Sequence, residues 1–227
     1  MKWTYLLINL GSIIIPFIFS FHPKLKFSAN WKSAWLAIVL ALIPFIIWDA
    51  YFTAIGVWSF NHDYTLGLDI LGLPLEEWLF FVCIPYASLY TYHCFKKLFE
   101  FNASKKIERI ATALILSISL FAIIQFPDRI YTFTTAVLLI ILMVYLLVKK
   151  VTWLKPFFIT YAAILLPFFI VNGLLTGWLL DSPVVIYNNN ENVGFRLNTI
   201  PVEDVFYGCL LLLLNTTIYE YLLKKNI

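Results

Sequence analysis

The chain has 227 residues, of which 62% are hydrophobic, 19% aromatic and only 13% charged, with a mean hydropathy of +0.86. Soluble domains carry about 25% charged residues, so this chain has too few to cover a water-facing surface. Its net charge of +3 sits in loops between apolar runs, which argues against nucleic-acid binding.

The apolar runs fall at 3–21, 33–59, 74–95, 108–127, 130–148, 156–180 and 203–223. Each suits the roughly 20 residues that cross about 30 Å of hydrocarbon at 1.5 Å per residue. In lipid the backbone must satisfy its own hydrogen bonds, so each run is expected to be a helix. The expected fold is all-α, a polytopic membrane protein with seven transmembrane helices in the cell membrane. The first run follows one lysine and ends at Phe21-His22-Pro23 without a small-residue cleavage site. It therefore reads as an uncleaved helix rather than a signal peptide. The fourth and fifth runs are joined by the short turn Pro127-Asp128-Arg129.

Thirteen of the 16 Lys and Arg fall in the loops after helices 1, 3, 5 and 7, leaving Lys2, Arg129 and Arg196 for the opposite side. That bias places the N-terminus outside and the C-terminus inside. An internal repeat agrees with it. Pro74-Leu75-Glu76-Glu77 is echoed by Pro201-Val202-Glu203-Asp204, and Pro44-Phe45-Ile46-Ile47-Trp48-Asp49 by Pro167-Phe168-Phe169-Ile170-Val171-Asn172. Residues 1–100 (helices 1–3) then match 129–227 (helices 5–7), with 101–128 supplying a connecting helix 4. The step of four helices is even, so the repeats run parallel, a 3+1+3 arrangement with a site expected between the halves.

Five acids stand out. Glu76 and Glu77 open helix 3, and Glu203 and Asp204 open helix 7. Acids in a first helical turn are ordinary helix-start chemistry, stabilising by about 0.3–1 kcal/mol through the helix dipole. A cap does not need two carboxyls, however, and both repeats carry a pair. Asp49 lies inside helix 2, where a charge costs about 2.5–3.5 kcal/mol on insertion scales, so it is a functional candidate. Asn172 takes its place in the second repeat, and Arg196 precedes helix 7. Adjacent helical residues point about 100° apart, so only one member of each pair can face a central pocket squarely. Glu77 shares its face with Phe80 and Phe81, and Asp204 with Tyr207. Cys83, Cys94 and Cys209 show no paired or metal-type spacing. His22, His62 and His93 are scattered, so no metal is expected.

The paired Pro-Leu-Glu-Glu and Pro-Val-Glu-Asp blocks, each followed by aromatics, resemble the small membrane lycopene cyclase family. So do Asn192-Val193-Gly194-Phe195-Arg196, leading through Asn198-Thr199-Ile200 into the second block, and Trp58-Ser59-Phe60-Asn61. With both repeats present, the chain is similar to the fused single-chain form of the two-subunit bacterial cyclase. The resemblance implies redox-neutral ring closure at the ψ-ends of lycopene in carotenoid biosynthesis. A carboxylic acid would protonate the terminal double bond, the next double bond would close the ring, and a base would remove a proton to give a β-ring. No cofactor is expected, in keeping with the absence of a dinucleotide fingerprint.

On that reading proton transfer falls to Glu77, Glu203 and Asp204, with Glu76 tuning a neighbour. Asp49 and Arg196 hold the charge network, and Asn172, Trp48, Phe80, Phe81 and Tyr207 complete the substrate site. Glu77→Gln and Glu203→Gln are both expected to abolish activity. The expected partners are lycopene, the lipid bilayer and other carotenoid-pathway enzymes. A 3+1+3 small-molecule transporter is the competing reading. A retinal protein is excluded, because helix 7 has lysines only at its end, Lys224 and Lys225.

Overall fold

A computed structural model describes residues 1–101 and 104–225. Its seven α-helices are α1 Thr4–Phe19, α2 Trp31–Ala54, α3 Leu75–Leu98, α4 Lys106–Gln125, α5 Ile130–Val148, α6 Leu154–Leu175 and α7 Val202–Lys224. All seven coincide with the predicted apolar runs. Five of them (α2 and α4–α7) are long and apolar enough to cross a membrane. The other two differ for readable reasons: α1 has only 16 residues, and α3 has two glutamates in its first turn and two lysines in its last.

Two runs stop short of their predicted ends. The run to residue 59 ends as helix at Ala54, and the run to 180 ends at Leu175. Gly56 and Gly177 adopt φ of +78° and +102° just beyond. Val57 N–H donates to Phe52 O at 2.9 Å and Gly56 N–H to Thr53 O at 3.2 Å. Trp178 to Gly173 (2.7 Å) and Gly177 to Leu174 (3.2 Å) repeat the pattern. This is the Schellman stop, in which a left-handed glycine turns the backbone back onto the last carbonyls. The apolar residues that follow Gly56 become a strand instead. β1 (Trp58–Phe60) pairs antiparallel with β4 (Val185–Tyr187), setting Trp58 opposite Tyr187.

Two small hairpins lead into the acidic helices. β2 (Asp69–Ile70) pairs with β3 (Leu73–Pro74) before α3, and β5 (Arg196–Leu197) pairs with β6 (Ile200–Pro201) before α7. Pro74 and Pro201 are thus the last strand residues, with ψ of 145° and 138°, rather than the first helical ones. A residue with no N–H suits that point, where neither ladder nor helix needs a donor.

Within the bundle α3 packs against α1, α2, α6 and α7, while α5 packs against α7 and α4. The buried core includes Ile38, Phe45, Phe81, Leu89, Leu139 and Leu213. The outer surface is apolar, with Ile14, Ile18, Leu114, Phe121, Ile141 and Leu166 all exposed. Helix α4 shows the pattern most plainly, since its buried residues are Thr112 and Ser119. Small polar residues between helices and apolar ones outside are what a lipid-facing helix requires. The ends opposite the hairpins are tied together by Lys96 to Glu220 at 2.5 Å, Tyr92 to the same oxygen at 2.7 Å, and Lys97 to the Leu25 carbonyl at 2.9 Å.

Candidate active site

The Schellman turn at Gly56 brings Trp58 back over the end of α2, where its indole Nε1–H donates to Asp49 Oδ1 at 2.6 Å. Asp49 is buried, and its carboxyl lies within hydrogen-bonding reach of that of Glu77. Glu77 Oε2 also accepts from the hydroxyl of Tyr5, in the first turn of α1. An ionised carboxylate only accepts, so two carboxyls can hydrogen-bond to each other only when one of them carries a proton. Asp49 Oδ2 receives no donor from the described residues.

Asp204 is satisfied differently. Tyr131, at the start of α5, donates to its Oδ1 at 2.8 Å. Tyr187 donates to Oδ2 at 3.0 Å and Asn172 to the same oxygen at 3.3 Å. Three donors thus reach Asp204, where Asp49 and Glu77 have one each. Tyr187 stands in the loop, where burial first, and the charge of Asp204 second, hold its phenol well above the usual range. It therefore stays protonated and donates.

Asp49, Glu77 and Asp204 line one cavity of about 690 Å³ between α1, α3, α6 and α7, together with Tyr5, Trp58, Phe60, Phe80, Tyr131, Tyr187 and Tyr207. Away from the carboxyls the wall is apolar, running past Ile8, Ile15, Ile84, Ile164, Leu174 and Leu211. No Lys or Arg lines it among the described residues. Nor are any three His, Cys, Asp or Glu side chains there arranged to hold a metal ion. The rings of Trp58, Tyr131 and Tyr207 lie within 6.5 Å of one another, centroid to centroid. The arrangement puts two carboxyls side by side, a third held by separate donors, and three aromatic rings on one largely apolar cavity. A family profile described as lycopene cyclase matches residues 2–95 and 128–222.

The chain belongs to the lycopene cyclase family. Among curated proteins it is similar to bifunctional lycopene cyclase/phytoene synthases of three fungi. The Aspergillus niger protein is 34% identical over 62 residues, 27% of this chain and 11% of the relative. The Neurospora crassa protein is 37% identical over 60 residues (26% and 10%). The Leptosphaeria maculans protein is 30% identical over 95 residues (40% and 16%). The matched part thus spans a sixth or less of those relatives' length. No solved structure matches the chain significantly.

Of the residues expected at a family site, Asp49, Glu77, Asp204, Asn172, Phe80 and Tyr207 line the cavity, whereas Glu76, Glu203, Trp48, Phe81 and Arg196 do not. The 100° offset between neighbours on a helix divides each acidic pair. Glu76 Oε1 accepts the Leu66 N–H and Glu203 Oε1 accepts the Val193 N–H, both at 2.7 Å. Glu203 also accepts from Thr132 at 2.6 Å. These two carboxyls brace the loops over the site. Arg196 lies behind Tyr187, its guanidinium carbon 5.8 Å from the ring centroid, and donates to Thr199 O and Asn189 Oδ1 at 2.7 Å each. Phe81 and Trp48 pack against Phe45. The donors Tyr5, Tyr131, Tyr187 and Trp58 were missing from the expected set.

Proposed function

We propose that this chain is a carotenoid cyclase that closes β-rings at the ψ-ends of lycopene. The observation that carries the reading is the split among the three carboxyls in one apolar cavity. Asp49 and Glu77 lie within reach of each other and can hold a proton between them, while Asp204 stands apart with three donors of its own. The Asp49–Glu77 pair delivers its proton to the terminal double bond, giving a tertiary carbocation. The π electrons of the neighbouring double bond form the ring bond and move the positive charge onto a ring carbon. Asp204 then removes an adjacent proton, the C–H electrons become the ring double bond, and that proton returns to the Asp49–Glu77 pair before the next turnover. One proton enters and one leaves, so the product is an isomer of the substrate and no electron acceptor is required. The faces of Trp58, Tyr131 and Tyr207 stabilise the cation, and the apolar wall excludes water that would trap it.

The membrane arrangement belongs to the same reading. All seven helices span the bilayer of the cell membrane, with the acidic end outside and the lysine-rich end inside, as the charge bias requires. The halves 1–100 and 129–227 form parallel repeats joined by α4. Equivalent hydrogen bonds support this: Tyr5 to Glu77 and Tyr131 to Asp204, Leu66 to Glu76 and Val193 to Glu203. Equivalent packing supports it too, with α1 on α3 and α5 on α7, α2 on α7 and α6 on α3. A transporter would carry its polar groups near the midplane with access from both sides, whereas these acids occupy one end of an apolar cavity.

The test is pigment analysis after expressing the chain alone in cells that accumulate lycopene. Monocyclic or bicyclic carotenoid of unchanged mass is expected. Unchanged lycopene, with the protein present in the membrane, would overturn the reading.

A further inference from the structure

We propose, on the basis of the cyclase reading above, that the polyene lies along the helix axes beneath the three carboxyls. It reaches that position sideways from lipid between α1 and α6, and it is cyclised one end at a time.

The cavity is a groove rather than a chamber. On α3 its lining runs from Glu77 to Thr91, a rise of roughly 21 Å at 1.5 Å per residue. Its carboxyls all stand at the Glu77 end. A rod-shaped hydrocarbon with one terminus at the acids therefore points its remainder toward the lysine-rich end. The groove is open along one side. α1 packs along α3 but barely touches α6. The lining residues on that seam, Leu7 and Ile15 of α1 and Ile170 of α6, are 61%, 63% and 51% exposed. In a bilayer that seam faces acyl chains, so a substrate dissolved in the membrane need not cross water to enter.

Glycines shape the passage. Gly11 lies in the middle of the α1 wall, and a Cβ built there meets nothing within 4 Å, so it borders open space. Glycine inside a helix is otherwise unfavourable, and here it widens the groove. Gly208 on α7 also lines the groove, where a Cβ would come within 3.4 Å of Phe168. A symmetric substrate bound this way holds its second end away from every carboxyl of the groove. That end reacts only after the molecule has left and returned reversed.

The experiment uses the full chain purified in detergent, with a Glu77→Gln background to stop turnover, and reads lycopene bound per protein from its visible absorption. Glu77→Gln alone is expected to retain lycopene. Adding Gly11→Phe should lower bound pigment at least tenfold, as should Ile15→Trp at the seam, whereas Leu10→Phe, on the exposed outer face, should not. In proteoliposomes loaded with lycopene, the unsubstituted chain should release monocyclic carotenoid into added acceptor vesicles before any bicyclic product forms. Unchanged pigment in either groove variant, at normal membrane yield and helix content, would overturn the placement of the polyene. Bicyclic product with no free monocyclic stage would overturn the one-end sequence. Pigment that binds and responds to Gly11→Phe, yet is never cyclised, would sink the cyclase reading and leave the groove assignment standing.

Discussion

Trp58 and Tyr187 are cross-strand partners in the β1–β4 pair, and each ends on a different carboxyl. Trp58 donates to Asp49 and Tyr187 to Asp204. One short ladder between the loop before α3 and the loop before α7 therefore sets the position of both acids. Removing either donor should move the chemistry more than it moves the fold.

Trp58→Phe tests this directly, because it keeps an aromatic face and deletes the N–H. A hydrogen bond to a charged group is worth about 1.5–3 kcal/mol, so cyclisation should fall roughly 10- to 100-fold with membrane yield unchanged. The measurement is the initial rate of pigment conversion per unit of protein. A rate within twofold of the parent would show that Asp49 does not depend on this donor.

Glu77 and Glu203 should behave differently, although the residue types alone suggested equal roles. Glu77→Gln removes the shared proton and should abolish cyclisation in a folded protein. Glu203→Gln keeps a carbonyl oxygen able to accept from Val193 N–H and Thr132, and should retain most of the activity. Glu203→Ala leaves those donors unpaired, at about 1–3 kcal/mol each for buried groups, and should lower thermal stability in detergent. Loss of activity in a stable Glu203→Gln protein would return Glu203 to the chemistry.

The contrast shows what could be read from the sequence and what could not. Hydrophobic run length located all seven helices, because a lipid-exposed helix needs a continuous apolar surface. It carries two helix ends too far along, because Ile55-Gly56-Val57-Trp58 and Gly177-Trp178-Leu179-Leu180 are about as apolar as the helices before them and only the backbone of Gly56 and Gly177 decides where each helix stops. Asp49 was legible as an expensive buried acid. The 100° offset between helical neighbours separates Glu77 from Glu76 and, equally, Asp204 from Glu203. Tyr5 and Tyr131 are legible only through their position, each a tyrosine second in its helix. Tyr187 carried none, since its place depends on a strand pairing between distant loops.

Asn172 and Asp49 each stand five residues after the proline inside their helix and both line the cavity, and exchanging them tests whether the two positions correspond. Asn172→Asp alone replaces a donor to Asp204 with a second carboxyl. Two carboxyls so close disfavour each other's ionisation, so the base should be weakened and the rate should fall at least tenfold, about the cost of losing a hydrogen bond to a charged group. Combined with Asp49→Asn, the acid pair moves to Asp204 and the separate carboxylate to Glu77, with Tyr5 still donating. Partial recovery over the single variant, in the same pigment assay, is the expected outcome. A double variant no better than either single one would argue that the halves are not interchangeable.

Gly56 and Gly177 end α2 and α6 with the same turn, but their surroundings differ. An L-residue in the left-handed region costs about 1–2 kcal/mol, so Gly56→Ala, whose Cβ meets nothing within 4 Å, should cost about that much. At Gly177 the added Cβ would also stand 3.3 Å from the Pro183 backbone nitrogen. Backbone gives way less readily than a side chain, so Gly177→Ala should be the more destabilising of the two. Thermal unfolding of both variants in one detergent provides the order. The Gly177 loop carries Val184, Val185 and Tyr187, so its variant should also lose activity before it unfolds, as the Tyr187 donor drifts from Asp204. The Gly56 variant, which perturbs Trp58 and the Asp49 side of the cavity, should retain more of its cyclisation rate at the same temperature. The reverse order in both assays would show that steric freedom at these glycines does not set the geometry of the loops over the site.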